Sequence, residues 1–297
     1  MKTLREALRS EELTLTAELA LGPRDGPAAI VGQAKILAGK TDTVQIPDHR
    51  HFRPHVSNVA VAALLLAEGI DPIMHMNCRD RNRVALQSDI VGARALGLNN
   101  LLIARGTAYP AGHRPKTTSV FDLGAIDLIA VAATIREGDA FPGTAPEGSS
   151  DLYVGTGATA FNPTQNWEPE KLKSKADAGA QFIQLQLCND LGLLRDYAAR
   201  IVESKLTWRL QFLVGLPVLP SAKAARALRK ERPDSAIRSE VVKRIEAAKD
   251  QEAEGVAVAA EQLHAIAGIP GISGVTLMTP GDPSLIPAAI DASGLRQ

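Results

Sequence analysis

Residues 72–106 read PIMHMNCRDRNRVALQSDIVGARALGLNNLLIARG, and this stretch decides the fold class. An apolar run at 72–76 is followed by an amphipathic segment at 83–96 and by a second apolar run at 100–104. Two short apolar runs on either side of a segment with helical periodicity predict a strand–helix–strand unit. Because the connection contains a helix, we expect the two strands to be parallel, with a right-handed crossover.

The same alternation runs through all 297 residues of the chain. Further apolar runs of strand length lie at 13–19, 43–46, 152–155, 182–187, 209–214 and 274–277. The amphipathic segments that we interpret as helices include 58–68, 125–135, 168–178, 193–203, 222–229 and the long 238–267. Eight repeats of this α/β unit predict a single domain, a (β/α)8 barrel over residues 1–297.

An open sheet with fewer strands is the alternative, if two of the short strands are wrong. No glycine-rich phosphate turn of the GxGxxG or GxxxxGK[ST] kind follows a strand, which disfavours the nucleotide-binding open sheets. The stretch 136–150 is rich in Gly, Pro and Ser. We interpret it as a surface loop before the fifth strand rather than as a domain boundary.

The charge balance limits the classes of partner. With 33 basic and 33 acidic side chains the formal net charge is zero, which gives no electrostatic argument for a nucleic acid or an anionic membrane. No apolar run approaches the roughly 20 residues that span a bilayer, and the N-terminus lacks the apolar segment of a signal peptide. We therefore expect a cytoplasmic protein, in which 222–267 packs against the barrel or against another subunit of a homo-oligomer.

The cysteines and histidines do not predict a metal site. Cys78 and Cys188 lie far apart at predicted strand ends, and we interpret them as buried thiols rather than nucleophiles. His49, His51 and His55 follow the second strand, but their spacing fits no metal-binding motif. A polar loop without a metal is the favoured interpretation.

Glu18, at the end of the first strand, is the leading candidate for chemistry, because the active site of such a barrel lies at the carboxyl ends of its strands. Alternation places Thr16 and Glu18 on one face of the strand. Burial would raise the pKa of this carboxyl group toward the range useful for a general acid. A structural acid paired with an arginine is an equally weighted alternative from this strand alone.

Other polar residues end neighbouring strands. His75 and Asn77 share a face of the third strand, and Gln184 and Gln186 share a face of the sixth. A glutamine amide offers paired donor and acceptor groups, which suits the edge of a heterocycle such as a pterin. The fourth strand ends in Arg105, Gly106 and Thr107, and a long loop that is typical of a functional segment continues to Phe121 and Asp122.

Four stretches of this sequence resemble the methylenetetrahydrofolate reductase family: 76–106, LKSKADAGAQFIQLQLCND at 172–190, GLPVLPSAKAARAL at 215–228 and IPGISGVTLM at 269–278. The resemblance runs from about residue 13 to residue 295. It implies a (β/α)8 barrel that binds FAD and takes hydride from NADH or NADPH. The implied reaction reduces 5,10-methylenetetrahydrofolate to 5-methyltetrahydrofolate.

The resemblance also implies roles for individual residues. Glu18 matches the proton donor of the family, and Gln186 matches the glutamine that holds the pterin, with Gln184, Asn77 and Thr107 as further substrate contacts. The residues implied to contact the flavin cofactor are His75, Arg105, Gly106, Thr107, Phe121, Asp122, Glu168 and Lys175.

Three positions depart from the family pattern. Thr107 stands where the family usually has an aspartate, Ser174 where a second basic phosphate contact is common, and Ala222 where some members have an aromatic residue. These departures motivate two alternatives. One is a flavin-independent reductase with direct hydride transfer from NAD(P)H to the folate. The other is a folate-binding protein of a methyl-transfer system with little reductase activity.

Overall fold

A computed structural model describes residues 3–49, 52–138, 151–164 and 166–296. Eight parallel strands close into a barrel in sequence order, with the last strand paired to the first. This confirms the predicted (β/α)8 fold. The strands are β1 (Thr14–Glu18), β2 (Thr43–Ile46), β3 (Pro72–Asn77), β4 (Asn100–Ala104), β5 (Tyr153–Ala158), β6 (Phe182–Leu187), β7 (Gln211–Pro217) and β8 (Gly274–Met278).

Helices connect the strands. The described helices are α1 (Leu4–Leu8), α2 (Pro27–Ala38), α3 (Asn58–Ala67), α4 (Arg83–Ala95), α5 (Ala125–Arg136), α6 (Glu170–Asp177), α7 (Leu191–Glu203), α8 (Ala222–Glu231), α9 (Ser239–Ala247), α10 (Gln251–Ala267) and α11 (Leu285–Ser293). Most of the predicted surface loop at 136–150 lies outside the described residues.

Two strands end later than the sequence predicts. β5 continues to Ala158 because Gly157 and Ala158 still pair with β6. β7 starts later than predicted, since Leu206–Trp208 forms a short 3-10 helix, and it extends to Pro217, which pairs with Met278.

The predicted single helix at 238–267 is wrong. Residue Ala248 has an extended backbone, with φ −75° and ψ 145°, and this ends α9. Asp250 then caps α10, because its side chain accepts a hydrogen bond of 3.0 Å from the backbone N–H of Ala253. The segment is therefore two helices joined by a bend.

The barrel interior has two layers of different character. At the amino end of the strands, α1 inserts Leu4 and Leu8 against an apolar cluster formed by Ile73, Leu102, Tyr153, Phe182 and Leu213. This floor is apolar and buried. The next layer toward the carboxyl ends, around Gln45, is polar, and it lies at the end where barrels of this type place their active sites.

Candidate active site

Gln45 of β2 is the centre of the polar layer. Its side chain is fully buried, and its Nε2 lies 2.8 Å from Oγ1 of Thr16, 2.9 Å from Oε1 of Gln184 and 3.0 Å from Oγ1 of Thr276. Its Oε1 accepts a hydrogen bond of 2.8 Å from Nε2 of His75. One amide thus connects β2 to four other strands, which fixes how Gln184 and His75 face the space above.

Glu18 lies one layer above Thr16 on the same face of β1. Thr16 points into the barrel, where its hydroxyl bonds to Thr276 at 2.9 Å, so alternation directs Glu18 to the interior as well. Glu18 pairs in register with Gln45 and is only 7% exposed. The structure therefore places this carboxyl group, as the strand pattern predicts, at the carboxyl end of the barrel.

A cavity of about 300 Å³ opens directly above the polar layer. Its walls include seven of the residues that the sequence singled out: Glu18, His75, Asn77, Gly106, Thr107, Gln184 and Gln186. We call it the first cavity. Its volume is at the lower end of the range for small-molecule sites, and its walls combine a buried acid with amide donors and acceptors.

Gln186 reaches this cavity through an irregularity in β6. The pairing of β6 with β7 shifts register between Leu185 and Leu187. Gly215 of β7 lies against the shift, and a Cβ atom there would come within 2.9 Å of the Leu185 carbonyl oxygen. The glycine therefore permits the close backbone approach that the bulge needs.

A second cavity, of about 410 Å³, adjoins the first and shares Glu18, Glu231 and Arg232 with it. It lies between the segments that follow β1 and β8 and the end of α8, with Asp25, Leu228 and Thr279 among its walls. The sequence singled out only Glu18 of these residues, because the end of α8 reads as an ordinary helix terminus.

Arg79, two residues after the end of β3, also lines the first cavity. Its guanidinium forms two hydrogen bonds of 2.8 Å to the carboxylate of Asp80 and packs against the rings of Phe52 and Tyr109, at 5.0 Å and 4.9 Å. The hydroxyl of Tyr109 also donates to Asp80, at 2.8 Å. Arg79 thus joins the loops that follow β2, β3 and β4.

Burial and these contacts shift the pKa values of Asp80 and His49. Burial opposes the charged form of Asp80, but hydrogen bonds from Arg79 and Tyr109 outweigh burial, so the pKa of Asp80 is lowered. Burial lowers the pKa of His49, which lines the first cavity, against the opposing charge of Asp48.

Asp48 holds the end of β3 in place through hydrogen bonds. Its Oδ2 accepts a hydrogen bond of 2.7 Å from the backbone N–H of Asn77 and another from the guanidinium of Arg81. Arg81 also bonds to Asp89, at 2.7 Å. The spacing of these residues along the chain gave no sign of this cluster, which forms because the loop after β2 folds back onto β3.

Three residues that the resemblance implies as flavin contacts, Arg105, Phe121 and Asp122, make their contacts outside the first cavity. The guanidinium of Arg105 stacks on the ring of Phe121, 4.3 Å from its centroid. Asp122 accepts a hydrogen bond of 2.7 Å from the backbone N–H of Arg83, at the start of α4. In this structure none of the three lines a cavity with Glu18.

Glu168 and Lys175 line a third cavity, of about 580 Å³, which adjoins the first at Gly157. The ammonium group of Lys175 donates to the carbonyl of Gly157 at 2.6 Å, and burial lowers the pKa of Lys175. Glu168 is exposed and pairs with Lys173 at 2.9 Å. Aromatic rings of Phe161, Trp167 and Tyr197 form one wall.

The two other departures from the family pattern lie away from the first cavity. Ser174 is exposed, and its hydroxyl bonds to the carbonyl of Glu170 within α6, at 2.9 Å. Ala222 is 2% exposed and packs in an apolar cluster with Leu187 and Leu219.

Cys78 and Cys188 are buried free thiols, and burial raises the pKa of each to about 11. The backbone N–H of His49 donates to Nε2 of His55 at 2.8 Å, while His51 lies outside the described residues. In the described part of the chain no three His, Cys, Asp or Glu side chains cluster as metal ligands would.

The residues present do not fit an FAD as the resemblance implies. Of the implied contacts, His75, Gly106 and Thr107 line the first cavity and Glu168 and Lys175 the third. Arg105 and Phe121 stack on each other, Asp122 bonds to the backbone of Arg83, and these three line neither cavity.

The closed parallel barrel and the polar cavity at its carboxyl end define a (β/α)8 protein with a candidate active site. Residues 27–291 match the sequence model of methylenetetrahydrofolate reductase. The chain belongs to the methylenetetrahydrofolate reductase family. The match begins after β1, so it does not include Glu18.

Solved structures share the fold at low sequence identity. An uncharacterized protein from Clostridium thermocellum that binds two copies of 5-methyl-5,6,7,8-tetrahydrofolic acid is 12% identical, with a TM-score of 0.64, and the match covers 97% of this chain and 96% of that one. EDTA monooxygenase from Chelativorans sp. BNC1 is 13% identical, with a TM-score of 0.57 and coverage of 95% and 92%. No curated protein sequence matches the chain. In the described residues no helix is long and apolar enough to cross a membrane.

Proposed function

We propose that this protein reduces 5,10-methylenetetrahydrofolate to 5-methyltetrahydrofolate, with hydride taken directly from NADH or NADPH. The observation that carries the proposal is the first cavity, where the buried acid Glu18 faces the amides of Gln184 and Gln186 in a chain of this family. The folate bound by the Clostridium thermocellum neighbour supports the substrate class.

The chemistry needs one proton and one hydride. When the bond between the methylene carbon and N10 breaks, N10 takes a proton and an iminium forms at N5. Glu18 donates this proton as a general acid, and a hydride then reduces the methylene carbon to the methyl group. After product release, the Glu18 carboxylate takes up a new proton from solvent.

The remaining residues orient the pterin and exclude water. Gln45 accepts from His75 and donates to Gln184, so the free NH2 group of Gln184 faces the first cavity as a donor. Gln186 and Asn77 offer an amide each at the same cavity. Phe52 and Leu102 form an apolar part of the wall of the first cavity. Fixed donors and acceptors of this kind hold one face of the heterocycle toward the hydride donor.

Two measurements on the purified protein test the proposal. Anaerobic assays with methylenetetrahydrofolate and NADH or NADPH should show oxidation of the nicotinamide and formation of 5-methyltetrahydrofolate. The absorbance spectrum should lack flavin bands, and added FAD should not raise the rate. A yellow protein whose activity depends on FAD would contradict direct hydride transfer. Tight folate binding without turnover would instead indicate a folate-binding protein of a methyl-transfer system.

A further inference from the structure

Arg232 lies where α8 ends, in the wall that the first and second cavities share. Its backbone leaves the helical region there, with φ −125° and ψ 78°, and its side chain is half-buried. Burial lowers the pKa of Arg232 even though the neighbouring charges of Asp234 and Glu231 oppose that shift. The position therefore holds a partly desolvated cation next to the candidate active site.

Arg232 differs from Arg79 and Arg81, two other arginines at this end of the barrel that have carboxylate partners. Arg79 is held by Asp80, and Arg81 by Asp48 and Asp89. Within the residues that the structure describes, the guanidinium of Arg232 has neither a hydrogen bond nor an ion pair, and the hydrogen bonds of this residue are made by its backbone, to Leu228 and Ser235.

A half-buried guanidinium without a hydrogen-bond partner costs free energy in the folded protein, because its N–H donors lose water and gain no acceptor in contact with them. Such a cost is retained where a ligand supplies the missing oxygens. A guanidinium presents a planar set of N–H donors that matches a carboxylate or a phosphate group in a bidentate geometry. The open side of Arg232 faces two cavities that could hold the ligand.

We propose that Arg232 binds an oxyanion, a carboxylate or a phosphate, of a substrate whose ring system occupies the first cavity. This rests on the proposed function, since a reduced folate carries glutamate carboxylates and a nicotinamide dinucleotide carries phosphates. The second cavity, of about 410 Å³, gives the anionic end of the substrate a place beside Arg232.

In addition to Glu18, two acidic residues line the second cavity, and their charges limit what binds there. Asp25 accepts a hydrogen bond of 2.6 Å from the backbone N–H of Gly22, and Glu231 precedes Arg232. Their negative charges repel anions that do not contact the guanidinium directly. The site therefore selects an oxyanion in bidentate contact with Arg232 over a diffuse polyanion.

The experiment measures equilibrium dissociation constants for Arg232→Met, Arg232→Lys and the control Lys230→Gln. Lys230 is an exposed residue of α8 that lines no described cavity, so its variant removes the same charge without touching the site. The ligands are 5-methyltetrahydrofolate, 5-methyltetrahydropteroate, which lacks the glutamate, NADH and NADPH.

If the oxyanion is a folate carboxylate, Arg232→Met weakens 5-methyltetrahydrofolate binding about 10- to 100-fold, and binding of the pteroate changes less than about threefold. Lysine restores only part of the loss, because it cannot form the bidentate contact. If the oxyanion is a phosphate, the same loss occurs for NADH or NADPH instead. The melting temperature of Arg232→Met stays equal or rises, since an unpartnered cation has been removed.

Unchanged affinity for all four ligands overturns the proposal. So does a fall in melting temperature with unchanged affinities, which would make Arg232 a structural residue. Wild-type protein that binds no reduced folate rejects the proposed function, and the nicotinamide measurements then decide the role of Arg232 by themselves.

Discussion

At the scale of single residues, Gln45 controls the site without lining a cavity. Its amide bonds to His75 and Gln184, both of which line the first cavity. Because Oε1 of Gln184 accepts from Gln45, its NH2 group is left free for a ligand in the first cavity. Under the proposed function, the identity of the amide at Gln45, and not only its volume, therefore decides which hydrogen-bonding groups a pterin would meet.

Gln45→Glu tests this arrangement. A carboxylate has the shape of the amide but no donor, so Gln184 must turn its NH2 group toward residue 45 and present its carbonyl to the cavity. We expect the affinity for 5-methyltetrahydrofolate to fall about tenfold or more, as titration calorimetry would measure, and the ring-nitrogen NMR signals of His75 to shift.

The matched control is Gln181→Glu. Gln181 precedes β6 at the opposite end of the barrel, where its Oε1 accepts from Arg136 at 3.0 Å. A carboxylate there keeps that contact, so affinity should not change. Equal losses in both variants would mean that Gln45 acts only through stability.

The thiols give a second prediction at this scale. Burial raises the pKa of Cys78 and Cys188 to about 11, so at pH 8 the thiolate fraction is far below that of an unfolded chain. Iodoacetamide should label both at least about 100-fold more slowly in the native protein than in denaturant, as mass spectrometry can follow. Labelling of either cysteine at the denatured rate would show an accessible thiol.

At the scale of elements, Tyr109 anchors the long loop after β4 to the end of β3. Its hydroxyl donates to Asp80, and its backbone N–H bonds to Ser119 at 3.1 Å. Tyr109→Phe removes only the first bond. We expect a loss of about 1 kcal/mol in stability, faster amide hydrogen exchange in 107–121 and a higher KM for the folate.

Ser119→Ala is the matched control, since it frees the same loop from a bond that does not reach Asp80. It should speed exchange locally while leaving KM close to the wild-type value. Exchange rates in Tyr109→Phe that equal those of the wild type would contradict the anchoring role.

The elements also show what the sequence could predict. β4 is recognisable because a strand buried on both faces in a parallel barrel reads as a short apolar run. The break between α9 and α10 was not predicted, because the amphipathic pattern of the sequence continues across it. Asp250 as a helix cap was the available signal.

The candidate site was predictable only in part. Glu18, His75, Asn77, Gln184 and Gln186 could be found because alternation places polar residues at strand ends on one face. Gln45, a polar residue inside an apolar run, has partners on strands distant in sequence. Asp48, Arg79 and Arg232 acquire their environment from loops and a helix end, whose positions no periodicity encodes.

At the scale of the whole molecule, the barrel separates stability from chemistry. The apolar floor at the amino ends of the strands holds α1, and the polar layer at the other end holds the candidate site. A substitution on the α1 side of the floor, away from Leu102 in the wall of the first cavity, should therefore change the free energy of unfolding without changing ligand affinity.

Leu8→Ala tests that separation. Leu8 is 2% exposed and packs in the cluster that contains Phe182, so its truncation should cost about 2–4 kcal/mol, measured by urea unfolding. The dissociation constant for 5-methyltetrahydrofolate at low temperature should remain within about twofold of wild type. A large loss of affinity in a fully folded variant would show that the two ends are coupled.

The assignment of Glu18 as proton donor is tested most directly by the turnover of Glu18→Gln with methylenetetrahydrofolate and reduced nicotinamide. Removing a general acid should lower kcat about 100- to 10,000-fold, while the dissociation constant for 5-methyltetrahydrofolate stays within about threefold. Glu11→Gln, the same change at an exposed position, should behave as wild type. A Glu18→Gln protein that keeps kcat within about tenfold of wild type would contradict the assignment.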